Sequence, residues 1–279
     1  MTLLSLGIST CPNDTFIFDA MVHGKVDTSD LEFDCRLSDV EKLNRQAFSI
    51  EADITKISYH AYAYVADSYI LLNSGSALGY NNGPLLVSSL KTDPDKLVGK
   101  KIAIPGKYTT ANLLLSIIFP LLRDREEYLF SDIEEIVIRG KAEAGLLIHE
   151  NRFTYMKRGL SKVADLGEEW EKKTGMPIPL GGIAIRRELG SEIAAKVDKI
   201  LTASIDHAYN NPGSPYDFVR KYAASMDPEV MMKHINLYVN DFSRNLGDKG
   251  RQAVRIFYEK AAMVGAIPEI RPDIFVGNL

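Results

Sequence analysis

The sequence predicts an α/β protein of two lobes, one inserted into the other, with a cleft between them. Three observations predict it. The chain has 279 residues, more than one typical domain and enough for two linked cores. Strand-like runs alternate with helical ones through its first two-thirds, the pattern of parallel α/β architecture. A rough internal echo joins "IEADITKIS" (50–58) to "KAEAGLLIHE" (141–150). Each is a polar, alanine-containing lead-in, then a short β run that ends in polar groups, as two similar lobes would produce.

The elements follow in order. "LLSLGIS" reads as a strand, followed by Pro12, the capping residues Asn13, Asp14 and Thr15, and a helix to His23-Gly24. "LEFDCRL" and "ADITKIS" are the next strands, with a helix at "DVEKLNRQAF" between them. "SYILL" leads to the glycine- and asparagine-rich loop "NSGSALGYNNGP", which reads equally as a lid or a solvated connector. A second unit opens with the strand "KIAIPG" and the helix "TTANLLLSIIFPLL". "IEEIVIR" reads as a strand, "GKAEAG" as a short helix or turn, and "LLIHE" and "LGGIAIRREL" as strands. The rest is mostly helical: "SEIAAKVDKILTASIDHAYNN", "SPYDFVRKYAAS", "PEVMMKHINLYVNDF" and "KGRQAVRIFYEKAAMVGA". With "GPLLVSS" and "LGGIAIRR" as crossing strands, residues 1–88 and 184–279 form lobe I and residues 89–183 the inserted lobe II.

Composition narrows the function. A net charge of −4 and the lack of any lysine- or arginine-rich run give a nucleic-acid or membrane-surface partner no support. The N-terminus runs directly into a strand and no stretch reaches the ~18 apolar residues of a membrane span, so a cytoplasmic protein is expected. Neither the two cysteines nor the five histidines match a zinc-site spacing, and no nucleotide-binding glycine motif occurs. The expected chemistry uses no metal and no cofactor.

Ligands of open parallel sheets bind beyond the carboxyl ends of the strands, which directs attention to "IST-CPNDTF", "KIS-YHAYAYV" and "PGKY-TTANLLL". At each, a strand end runs into a helix start, where free N–H groups, short hydroxyls and the helix dipole suit a carboxylate. Thr109 and Thr110 are the strongest case. Taken singly, Thr109, Ser58 and Asn13 or Asp14 also read as ordinary N-caps. Cys11 reads as packing at a strand end, with a thiol activated by a helix N-terminus as its alternative; Cys35 reads as core. His23, His60, His207 and His234 sit in helical contexts and read as structural. His149 differs, because it follows the buried-strand run "AGLLI" where that strand reaches the cleft edge. An imidazole there suits either a structural role or a general base.

Four segments between Ser9 and Tyr155 carry a specific likeness: "STCPNDTF", "ADITKISYHAY", "PGKYTTANLLL" and above all "AGLLIHENRFTY". In matching order they resemble the signature segments of the 1,4-dihydroxy-6-naphthoate synthase family (MqnD) of the futalosine route to menaquinone. The resemblance implies a type II periplasmic-binding-protein-like fold used as a cytoplasmic enzyme. It implies a small carboxylate substrate, cyclic dehypoxanthinyl futalosine, cleaved to 1,4-dihydroxy-6-naphthoate and a sugar-derived fragment. Carried over, His149 matches the general base and Lys56–Ile57–Ser58 one substrate-binding turn. The other turn matches either as Thr109–Thr110 or as Thr110–Ala111. The competing readings are a chorismate dehydratase of the same pathway and a non-catalytic solute-binding protein using the same cleft.

Overall fold

The computed structural model describes residues 1–223 and 227–277, with only the backbone of Glu150. In chain order the elements are β1 (Thr2–Ser9), α1 (Pro12–Val22), β2 (Leu31–Ser38), α2 (Val40–Phe48), β3 (Ile54–Ser58), α3 (Tyr59–Tyr62), β4 (Tyr69–Leu71), β5 (Ala77–Gly79) and β6 (Leu85–Ser88). Then come β7 (Ile102–Ile104), α4 (Thr110–Ile118), β8 (Arg125–Glu127), α5 (Ile133–Ile138), β9 (Ala144–Leu147), β10 (Ser161–Asp165), α6 (Leu166–Thr174) and β11 (Ile178–Arg186). The chain closes with α7 (Gly190–Asn210), α8 (Tyr216–Tyr222), α9 (Pro228–Tyr238), α10 (Asp241–Arg244) and α11 (Gly247–Met263).

Two sheets result. The first runs β2-β1-β3-β11-β4, with β5 also on β11, and the second runs β10-β6-β9-β7-β8. Read from the other side, the second sheet is β8-β7-β9-β6-β10, so β1 corresponds to β7 and β3 to β9. The internal echo therefore maps onto the same position in each sheet. In both, the first three strands are parallel and the fourth, β11 or β6, is antiparallel to its neighbours. The sheets are mixed rather than purely parallel because each takes its fourth strand from chain arriving from the other unit.

The chain changes sheets earlier than expected at both crossings. β6, within the residues assigned to lobe I, pairs in the second sheet, and β11 belongs to the first sheet from Ile178 onward. A larger correction concerns "IEEIVIR", which forms helix α5 and not a strand. Its β-branched residues suit a strand, but Ile133 and Val137 lie one helical turn apart and pack on β9. Gly145 permits this, since a Cβ there would lie 2.5 Å from Ile133 and 2.9 Å from Val137. Helix α4 stops at Ile118, two residues before Pro120, because the residue preceding a proline is driven out of the helical region. The loop at 73–84 is not a solvated connector: residues 73–79 are buried and include β5. Cys35 is half-buried on the outer strand β2 and not core. The last residues of the helix expected at 214–225 lie outside the described residues.

One core runs through both sheets, joining Ile57, Tyr59 and Leu71 of the first unit to Leu86, Ile102, Leu113 and Leu146 of the second. Trp170 of α6 and Phe257 of α11 meet edge to face within it, at 5.6 Å. A second cluster lies under α1, α7 and α9. No described helix is long and apolar enough to cross a membrane.

At the first crossing, Gly83 lies against the backbone of Gly167 at the start of α6. A Cβ on Gly83 would stand 2.2 Å from the Gly167 nitrogen, and backbone cannot swing aside as a flexible side chain would. Gly83→Ala should therefore destabilise the fold by at least about 1–3 kcal/mol, read as a lower urea midpoint at unchanged slope.

Candidate active site

Four strand ends converge on one cleft. β1 delivers Ser9 and Cys11, β3 delivers Lys56, Ile57 and Ser58, β7 leads through a turn to Thr109, Thr110 and Ala111, and β9 leads to Ile148 and His149. With Asn13, Asn82, His234 and apolar residues such as Ala77, Pro84 and Leu180, they enclose about 660 Å³, including solvent at the mouth. Cys11, Lys56 and Ser58 come from the first sheet, Thr109 and His149 from the second.

Asn13 lines the cleft, but Asp14 does not: it is fully buried behind the wall, 2.9 Å from the Lys56 ammonium. Neither is a cap. The N-cap of α1 is Cys11, whose side chain does not bond the first turn, and Asn13 and Asp14 lie inside the helix. The Asp14 carboxylate also accepts from the Asn13 amide at 2.7 Å and from Ser9 N–H at 3.3 Å. Because the Asn13 nitrogen faces a carboxylate, its oxygen faces His234, whose Nε2 lies 2.9 Å away and must donate. Burial holds the His234 pKa well below its ordinary value, helped by the neighbouring His149 and Lys56. His234 is thus a neutral imidazole in the cleft wall, which corrects the purely structural reading.

Its ring stacks on that of His149, with centroids 6.1 Å apart and planes 18° from parallel. Phe130 meets His149 edge-on at 4.9 Å. The Cys11 sulfur lies 3.3 Å from His149 Nδ1 and 3.7 Å from Nε2. Cys11 is therefore a polar partner of His149 rather than simple packing. β9 ends at Leu147 and His149 opens a short 3-10 turn with φ +56°, a left-handed conformation uncommon outside glycine that histidine adopts more readily than most side chains. Arg152 of the same turn fixes it by donating to the Gly83 carbonyl and pairing with Asp165 at 3.3 Å.

Ser58 is held by Asn44, which the sequence reading passed over. Asn44 Oδ1 accepts from Ser58 N–H at 2.9 Å and its Nδ2 donates to Ser58 Oγ at 3.0 Å, leaving the Ser58 hydroxyl hydrogen to donate elsewhere. The helix expected beyond Ser58 is a single four-residue turn, α3. Thr109 is the N-cap of α4: its Oγ accepts from Asn112 N–H at 3.4 Å and donates to the Gly106 carbonyl at 2.8 Å. Thr110 Oγ donates to the Leu180 carbonyl. Both hydroxyls are employed in the fold, so a ligand here would meet first-turn backbone N–H groups, those of Thr110 and Ala111. His60 donates from Nδ1 to the Thr109 carbonyl at 3.2 Å, and burial lowers its pKa to about 4. Among the described residues, no three His, Cys, Asp or Glu are grouped to hold a metal ion.

A cleft between two such sheets, walled by strand ends from both, defines a protein of the two-lobed periplasmic-binding-protein class. Solved structures share that fold. The alkanesulfonate-binding protein SsuA of Xanthomonas axonopodis pv. citri, bound to MOPS, superposes with TM-score 0.69 at 11% identity, over 96% of this chain and 95% of that one. A crystal structure of an Archaeoglobus fulgidus protein is nearer, with TM-score 0.88 and 38% identity over 95% and 98%. The family model described as menaquinone biosynthesis matches residues 4–263. The 1,4-dihydroxy-6-naphthoate synthases of Thermus thermophilus and Streptomyces coelicolor are 43% and 40% identical, covering 98% and 97% of this chain and 99% and 96% of theirs. The chain belongs to the 1,4-dihydroxy-6-naphthoate synthase family of menaquinone biosynthesis and is an enzyme.

The turn carrying Thr109 is tied to the first unit by Glu41 of α2. Its carboxylate accepts from Tyr108 N–H at 3.5 Å, lies 3.2 Å from Arg45, and occupies the space a side chain on Gly106 would need. Burial raises the Glu41 pKa to about 7. The folded value lies above the unfolded one, so this group's contribution is full below the unfolded pKa and is lost as pH rises through about 7. Glu41→Gln should flatten the fall in Tm between about pH 5 and 8, measured by calorimetry in a pH series.

Proposed function

We propose that this enzyme cleaves cyclic dehypoxanthinyl futalosine to 1,4-dihydroxy-6-naphthoate and a sugar-derived fragment, a carbon–carbon lyase reaction opened by His149 as general base. The observation that carries the reading is His149 itself: an imidazole at the cleft wall, held in a left-handed turn, facing a thiol and a second, neutral imidazole. A neutral His234 stacked on its face adds no positive charge, which keeps His149 available to take a proton. Proton removal from the substrate then starts bond cleavage, and a well-placed base contributes about 10²–10⁴ in rate.

The substrate carboxylate is bound by the Ser58 hydroxyl and the first-turn N–H groups of α4, with the Lys56 charge behind them. Ile57, Ala111, Ile148 and Leu180 give the cleft apolar surface against which a flat ring packs. Residues 1–84 with 178–279 form one lobe and 85–177 the other, and their closure excludes water from the reactive intermediate. The protein acts in the cytoplasm on this small molecule.

Incubating the purified protein with cyclic dehypoxanthinyl futalosine and following products by mass spectrometry tests the reaction; absence of 1,4-dihydroxy-6-naphthoate would overturn it. His149→Ala should lower turnover at least about 100-fold at unchanged Tm. Near-normal turnover by that variant would remove His149 from the base role.

A further inference from the structure

The same cleft wall holds a side chain that nothing above has used. Asn82 lies in the first crossing between the sheets, after β5 and before β6, and is fully buried at 0% exposure. It lines the cavity shared by His149, Ser58 and Lys56. Neither its Oδ1 nor its Nδ2 meets a hydrogen-bond partner among the described residues. The other buried asparagines each bond to the fold: Asn44 to Ser58, Asn13 to Asp14 and His234, and Asn73 to Asp198 and the Val276 carbonyl through its nitrogen, although its Oδ1 is also unpaired. Leaving both ends of an amide unpaired away from water is costly, and such a group signals a partner that arrives from outside the chain.

The local backbone aims Asn82. On one side, Asn81 donates its N–H to Glu171 at 2.7 Å; on the other, the Gly83 carbonyl accepts from Arg152 and Gly83 abuts Gly167. Gly79 makes room for it, since a Cβ there would stand 2.9 Å from Asn82 Nδ2. The side chain is thus provided for sterically and left unsatisfied chemically.

We propose that Asn82 is a specificity-determining residue that hydrogen-bonds hydroxyl groups of the substrate, donating from Nδ2 and accepting at Oδ1. A hydroxyl both accepts and donates, so one hydroxyl or an adjacent pair satisfies both ends of the amide. A carboxylate satisfies the donor alone and an apolar ring satisfies neither. Asn82 therefore reads the hydroxylated part of the ligand, while Ser58, Lys56 and the start of α4 take its anion. The inference rests on the reading that cyclic dehypoxanthinyl futalosine occupies this cleft.

Asn82→Leu is the informative variant, because leucine keeps the branched shape and removes both polar atoms. Its Tm without ligand should equal or exceed that of the wild type, since the fold makes no use of the amide. Its Kd for cyclic dehypoxanthinyl futalosine, by calorimetry, should rise at least tenfold, and KM should rise more than kcat falls. Asn82→Ala, which adds no bulk, should weaken binding in the same direction and decides the matter should the leucine variant not fold. A lowered Tm with Kd within threefold of wild type, in either variant, would assign the amide to the fold and overturn the proposal. Were the wild type to bind the compound without converting it, the proposed reaction would fall while the Kd comparison still judged Asn82. No binding to the wild type would overturn both.

Discussion

The ammonium of Lys56 and the carboxylate of Asp14 meet at 2.9 Å with almost no access to solvent, and the polar order of the cleft descends from that contact. Two buried charges repay their desolvation only when further hydrogen bonds satisfy them. Asp14 obtains those bonds from Ser9 N–H and the Asn13 amide, which ties the end of β1 to the first turn of α1. With the Asn13 nitrogen committed, its oxygen fixes the proton of His234 on Nε2. The Lys56 charge, added to burial, keeps that ring neutral where it stacks on His149. A chain of contacts thus runs from a buried ion pair in the first unit to the imidazole delivered by the second.

The two sheets repeat one plan, but the cleft they enclose is chemically lopsided. The corresponding strands β1 and β7 lead to Cys11 and Thr109, while β3 and β9 lead to Ser58 and His149. Corresponding strands therefore present a thiol against a hydroxyl, and a hydroxyl against an imidazole. The halves are held in this register by bonds that cross between them. Thr110 donates to Leu180, Asn44 to the Tyr108 carbonyl at 3.4 Å, and Arg45 to Glu127 at 2.8 Å.

Much of this was legible in the sequence, because strand ends and helix starts are local signals. The strand "ADITKIS", the cap at Thr109 and the apolar run before His149 all announce themselves within about ten residues, and two such runs at similar spacing announce a repeat. "IEEIVIR" misleads because its composition favours a strand, whereas Gly145 on a separate strand makes the space for a helix. Residues whose meaning comes from distant partners stayed hidden. Cys11 meets His149 across 138 positions and His234 meets Asn13 across 221. Asn82 could not stand out, since an asparagine before glycine and proline reads as an ordinary turn. Asn13 and Asp14 drew attention for the wrong reason: they resemble caps, but they lie inside the helix and bond Ser9, Lys56 and His234.

The left-handed backbone at His149 sets two kinds of selection against each other. Conformation there favours glycine, or asparagine as the residue least penalised, and a bulkier side chain costs about 1–3 kcal/mol. The proposed chemistry asks for an imidazole. Glycine at this position would relieve that cost and strip the imidazole from the cleft wall. Position 149 is accordingly a place where backbone ease and the proposed chemistry pull in opposite directions. Compensation comes from Arg152, which anchors the turn to the Gly83 carbonyl and Asp165.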